Sequence, residues 1–177
     1  MSAPKEAEQV KLISSIFSAG EGLIETTMGR LEGLFGPLDW KSAGLFFDRT
    51  RYYEKEMGRP LFRRFVAFRD LIPPDSIVEV KLQTNELEKA FVKEGKRPVN
   101  IDPGYICMER LVLVTGKNYT HRIYLSKGIY ADLTLVFQKG GFRPLPWTYR
   151  DYGDESLIEH FNEIRAKYKA QLRRSTA

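Results

Sequence analysis

Residues 10–18 form an apolar, β-rich run that Gly20-Glu21-Gly22 breaks, after which Leu23, Ile24, Met28, Leu31, Leu34 and Phe35 recur at helical spacing. This predicts a strand and then a helix, which Gly36-Pro37 stops because proline cannot continue the ladder. A second strand is expected over 40–47, a short helical turn over 52–57 and a third strand over 61–71. Pro73-Pro74-Asp75-Ser76 supplies helix-start chemistry for a helix over 75–94, with Gly95 as its stop.

The run Asn100-Ile101-Asp102-Pro103-Gly104 reads as a turn, since Pro fixes one dihedral and Gly accepts a positive φ. Residues 108–114 fit either a buried strand or a helix ended by Gly116, and the helix is the reading adopted. Strong alternation over 120–126 and 129–138 around Lys127-Gly128, followed by Lys139-Gly140-Gly141 and residues 142–145, predicts a β-meander. From about Asp154, Leu157, Ile158, Phe161, Ile164, Tyr168 and Leu172 share one helical stripe. The expected fold is α+β, one domain over 1–177 with flexible ends at 1–8 and 173–177. It has a mixed sheet, a meander in the C-terminal half and about three main helices, and a ferredoxin-like core with additions is one option.

The 177-residue length fits one domain with a sizeable core. With no apolar run of about 18 residues and a polar N-terminus, the expectation is a cytoplasmic protein without membrane attachment. Cys107 cannot form an internal disulfide, and with His121 and His160 it cannot build a Cys/His zinc cage. The net charge of +5 permits an anionic partner. Seven cations against two acids between Arg49 and Arg69 give a local excess of five, interleaved with Tyr52, Tyr53, Phe62, Phe65 and Phe68. That is the composition of an RNA-binding surface. It also describes, and more simply, a strand whose aromatics face the core while its arginines face water.

The familiar nucleotide signatures are absent: there is no GxxxxGK[ST], no GxGxxG and no GxSxG. On the 75–94 helix, Ile77, Val80, Thr84, Leu87 and Phe91 make the core stripe, and Lys81, Asn85 and Glu88 form an adjacent stripe between apolar flanks. Such placement suits either a partly buried ligand site or a ladder of internally satisfied polar groups. In the meander, Arg122 and Tyr124 share one strand face, as do Tyr130, Asp132 and Thr134 on the next. These form a polar and aromatic platform or an exposed cross-strand ion pair of Arg122 with Asp132. Ile123, Leu125, Ala131, Leu133, Leu135 and Phe137 are expected to meet the core.

His121 has the side chain suited to proton transfer at neutral pH, yet it falls on the face of Ile123 and Leu125, which favours a buried or rim position. His160, off the last helix's stripe, reads as surface. Asp102 is the acid to select first, held by its Pro-Gly turn or simply capping it. Glu88, Asp102, Glu109 and Asp132 offer oxygens for a divalent cation, although no spacing forces them together. The segment Pro144-Leu145-Pro146-Trp147-Thr148-Tyr149 offers a stacking wall or a packed lid.

The phrases KLQTNELEKAF, GKRPVNIDPGYI, THRIYLSKGIYADLTLVF and PLPWTYRDY make the chain resemble the prokaryotic domain-of-unknown-function family 4416, over nearly its whole length. The resemblance implies no chemistry, because that family has no established activity. Arg150 stands where the family pattern has proline before Asp-Tyr.

The function expected from the sequence is binding of a small anionic ligand, a nucleotide or phosphorylated metabolite, in a cleft between the 75–94 helix and the meander. Lys81, Arg97, Arg122 and Lys127 would neutralise the anion. Asn85, Glu88 and Asp102 would orient it, the two acids alternatively holding a divalent ion, Tyr124 or Trp147 would stack, and Asn100 and Tyr105 are further ligand-binding residues. Acid–base work would fall to Asp102 or His121. RNA binding through 49–69 and a protein-interaction role are the alternatives.

Overall fold

β1 (Val10–Ser18) is buried along its whole length, which is why its sequence lacks the polar alternation of a half-exposed strand. Leu12 and Ile16 enter one core and Ile13 the other. The computed structural model describes residues 1–47 and 54–175. In chain order, β1 is followed by α1 (Glu21–Phe35), β2 (Leu38–Lys41), β3 (Leu45–Phe47), α2 (Glu54–Met57), β4 (Leu61–Ile72) and α3 (Ile77–Ala90). Then come β5 (Val99–Ile106), β6 (Arg110–Thr115), β7 (Arg122–Ser126), β8 (Ile129–Gln138), β9 (Gly141–Pro144) and α4 (Glu155–Ser175).

Among the described residues the strands form one nine-stranded sheet in the order β2-β4-β1-β5-β6-β8-β7, with β3 beside β4 and β9 beside β8. Its first four strands, with α1 and α3 on one face, have the order and connections of the ferredoxin-like βαββαβ unit. The meander β6-β8-β7 extends that unit. α1 and α3 cover one face through Ile24, Met28, Leu31, Ile77 and Val80. α4 covers the other through Leu157, Phe161 and Ile164, which meet Ile13, Phe65, Ile106 and Leu135. Each such side chain contributes about 1.5–3 kcal/mol on burial. No helix among the described residues is long and apolar enough to cross a membrane.

The α+β class, the C-terminal meander and the three main helices are as the sequence predicts, with several local corrections. The sheet is antiparallel in every ladder rather than mixed. The expected strand over 40–47 is two short strands. Residues 108–114 are not helical: β6 buries Leu111 and Leu113 on one face and Val114 on the other, the pattern of a strand covered on both sides. Asn100-Ile101-Asp102-Pro103-Gly104 is not a turn but the middle of β5. Pro103 is tolerated there because β6 joins β5 from Gly104 onward. Gly104 serves close approach, since a Cβ at that position would lie 2.4 Å from the Val112 carbonyl oxygen and 2.8 Å from Leu113.

In the meander the expected core and solvent faces are partly exchanged. Ile123 and Leu125 are exposed, whereas Asp132 and Thr134 are buried. A bulge sets Val112 opposite Leu133 and Leu111 opposite Leu135, so Leu135 joins the α4 core while Thr134 is displaced.

Candidate functional site

The sheet divides the candidate residues between its two faces. On the α1/α3 side, Lys81 and Glu88 are buried and Asn85 is half-buried. Lys81 Nζ donates to the Ile101 carbonyl at 3.1 Å, and Glu88 accepts the Ile101 N–H at 2.6 Å. Arg97 donates to Glu88 at 2.6 Å and reaches Glu56 at 3.2 Å. Burial pushes the Glu88 carboxyl above its usual range despite Lys81, Ile101 and Arg97. Arg97 is raised, because Glu88 and Glu56 outweigh its own burial. Glu88 pairs with Arg97 and Lys81 bonds a backbone carbonyl, so these two members of the stripe form a clamp that ties α3 to the first half of β5.

The cleft between α3 and the meander exists, but the predicted cations do not line it. Pro74, Ile77, Val78, Tyr105, Leu125 and Ala131 enclose about 220 Å³. Of the predicted residues Tyr105 forms part of its wall, and burial raises the phenol's pKa. Lys127 is exposed and pairs with Glu79.

On the α4 side, Asn100 donates to Asp102 Oδ2 at 2.8 Å. Ser15 stands across from Asp102 on β1 and accepts Arg63 Nε at 2.7 Å. Arg63 is buried, pairs with Asp151 and lies 4.5 Å from the Phe65 ring centroid and 5.1 Å from that of Tyr152. Burial works against the Arg63 charge, but Tyr152, Asp151 and Asp102 raise its pKa. Neither reading of the 61–71 segment anticipates this, since here the arginine shares the face of Phe65. Arg64 turns to the other face, bonding the Ser42 carbonyl and Glu25. Arg69 pairs with Asp70. Arg49, Arg51, Tyr52 and Tyr53 lie outside the described residues.

Farther along the same face, β7 and β8 bring His121, Arg122, Tyr124, Tyr130 and Asp132 together with residues 145–153, which cross the sheet as a strap. The strap is tied by Trp147 Nε1 donating to the Leu133 carbonyl at 2.8 Å and Thr148 Oγ1 donating to that of Thr134 at 2.5 Å. Arg122 stands opposite Asp132 in the ladder and donates Nε to Asp132 Oδ2 at 2.8 Å. Its terminal nitrogens donate to the Lys117 carbonyl at 2.9 Å and the Tyr149 hydroxyl at 2.7 Å. A guanidinium has five N–H groups, so two remain for another acceptor. The pair is enclosed, with side-chain exposures of 10% and 5%, unlike the exposed ion pair expected of an open sheet.

His121 shares that carboxylate, its Nε2 3.2 Å from Asp132 Oδ2. Because a carboxylate accepts, this contact puts a proton on Nε2, and in the neutral ring Nδ1 then carries the lone pair. The imidazole stacks on Trp147 at 5.3 Å and 14° and meets Tyr119 edge-on. Around this centre Tyr119, Tyr124, Trp147 and Tyr149 are 65%, 57%, 41% and 50% exposed. Residues 115–150 hold six cations and one acid, Asp132, a formal charge of +5 equal to that of the whole chain. This second basic stretch was legible in the sequence but is overshadowed there by 49–69.

Asn100, Asp102, His121, Arg122, Tyr124 and Trp147 therefore lie on one face of the sheet, and Lys81, Glu88 and Arg97 on the other. Among the described residues no three His, Cys, Asp or Glu side chains gather as metal ligands, so Glu88, Asp102, Glu109 and Asp132 do not converge. Asp132, Tyr149, Arg63 and Tyr152 are site or strap residues that the helical-wheel and turn arguments did not select. For Asp132 and Tyr149 the cross-strand pairing and the strap motif carried the signal.

The architecture is an α+β fold in which a ferredoxin-like unit is extended by a meander and a strap. The chain belongs to the family described as Domain of unknown function (DUF4416), whose model matches residues 8–168. No curated protein and no solved structure matches it.

Proposed function

We propose that the protein binds a small anionic ligand with a planar ring, a nucleotide or an aromatic phosphorylated metabolite, on the meander and strap. The observation that carries this reading is Arg122, fixed by Asp132, the Lys117 carbonyl and Tyr149, beside the exposed Trp147 ring that stacks on His121. A preorganised guanidinium with two spare N–H groups meets an anion at low entropic cost. Arg150 is exposed next to Tyr149 and adds a second cation. The exposed ring faces accept a base by stacking, worth about 1–3 kcal/mol per base. His121 Nδ1 is the acceptor available for a ligand N–H or O–H, and acid–base work at this site would fall to it. A cytoplasmic location belongs to the same reading, since free nucleotides are plentiful there.

Calorimetric titration with AMP, ribose 5-phosphate and adenosine tests it. AMP is expected to bind, with the half-molecules at least tenfold weaker, and Trp147→Ala should cost AMP at least fivefold. Equal binding of ribose 5-phosphate and AMP would remove the ring from the account.

A further inference from the structure

The exposed rings are too many and too spread for one mononucleotide. Tyr124, stacked edge-on against Tyr130 at 5.3 Å, projects two residues beyond Arg122 on the same strand face, about 6.6 Å away along β7. Tyr119 lies beside Arg122, whose guanidinium carbon is 6.0 Å from its ring centroid. Tyr149 and Trp147 overhang from the strap. Aromatic rings thus surround a central cation, and the enclosing stretch 115–150 carries a formal +5. Its one acid, Asp132, is buried beneath Arg122 and His121 and does not face solvent.

Resting on the ring-and-anion reading above, we infer that this surface takes single-stranded nucleic acid, several consecutive nucleotides with bases on Tyr119, Tyr124, Trp147 and Tyr149 and phosphates toward Arg122 and Arg150. Unpaired strands offer splayed bases that stack on aromatic side chains without sequence readout, and their phosphates match the charge of the stretch. A duplex hides its base faces and has nothing to give these rings. An acidic protein would match the charge but leave the rings without planar partners. The placement differs from 49–69, where Arg63 is turned inward and Arg64 and Arg69 are paired with acids.

Fluorescence anisotropy with a labelled 12-nucleotide oligo-U, competed by unlabelled AMP, a 12-base-pair RNA duplex and polyglutamate, tests this on the full chain. The oligonucleotide should bind at least tenfold more tightly than AMP and weaken about sevenfold between 50 and 200 mM salt, the slope for two phosphate contacts. Tyr124→Ala and Trp147→Ala should each weaken it at least fivefold. Tyr119→Ala, whose ring is the most exposed of the four, is the variant to use if loss of the Trp147 tie loosens the strap. An oligonucleotide no tighter than AMP overturns the inference and leaves the mononucleotide reading standing. Duplex or polyglutamate competing as well as oligo-U also overturns it, as binding by charge alone. Failure of both AMP and oligo-U to bind rejects the inference together with the reading beneath it.

Discussion

Arg122 and Asp132 face each other across the β7–β8 ladder, joined at 2.8 Å with both side chains largely hidden from solvent. The carboxylate also holds His121 at 3.2 Å, so one buried acid orients the two groups that would meet a ligand. Removing one partner of such a pair leaves the other charge uncompensated. Asp132→Asn is expected to cost about 2–4 kcal/mol in urea unfolding and to weaken AMP binding as well.

The clamp on the opposite face should behave differently. Lys81 and Glu88 are committed to the backbone of Ile101 and, for Glu88, to Arg97. Lys81→Ala should lower stability by about 1–3 kcal/mol while AMP affinity stays within twofold of wild type. Calorimetry of the variant below its unfolding range separates the two effects.

Glu88 also predicts a pH dependence. Its folded pKa lies above the usual carboxyl value because burial disfavours the charge. The fold therefore binds this proton more tightly than the unfolded chain does. The contribution of Glu88 is fullest below the ordinary carboxyl pKa and is lost as pH rises through the higher folded value. Glu88→Gln should flatten that part of a stability-versus-pH curve measured by urea midpoints, and an unchanged curve would contradict this account.

At the alkaline end, the Tyr168 hydroxyl donates to the Gln9 carbonyl at 2.6 Å, and burial pushes its pKa up to about 12. The fold holds this proton too, so stability should fall as pH rises from about 10 to about 12. Tyr168→Phe should make that fall shallower by losing the proton-linked part.

Gly104 tests the packing of β5 on β6. An alanine methyl would press on the Val112 carbonyl and on Leu113, which are backbone and core and cannot swing away. Gly104→Ala is expected to cost more than about 3 kcal/mol, read from the shift in thermal midpoint.

Helix spacing was legible wherever one face is buried, as in α1, α3 and α4, and the Lys127-Gly128 and Lys139-Gly140 turns declared themselves. Lys127, Gly128, Lys139 and Gly140 all take positive φ, as such tight hairpins require. Asn100 to Gly104 misled because Pro and Gly have a second use in sheets, at a ladder's end and at a close approach. Residues 108–114 misled because a strand covered on both faces has no alternation to read. The site was legible in part: the pairing of Arg122 with Asp132 follows from period two alone. What no local pattern revealed is that residues 145–153 fold over β8, burying Asp132 and Thr134 and turning an open ladder into a walled one. Nor could spacing show that Lys81 and the Asp102 side chain lie on opposite faces of one sheet.

The most direct test of where the ligand sits is an amide and side-chain NMR titration of the full chain with AMP. Shifts are predicted at Arg122, Tyr124, Trp147, Tyr149 and His121, with His160, which packs against Trp40 at 5.3 Å, unmoved. Shifts confined to Lys81, Glu88 and Arg97 would place the binding surface on the other face and contradict the account.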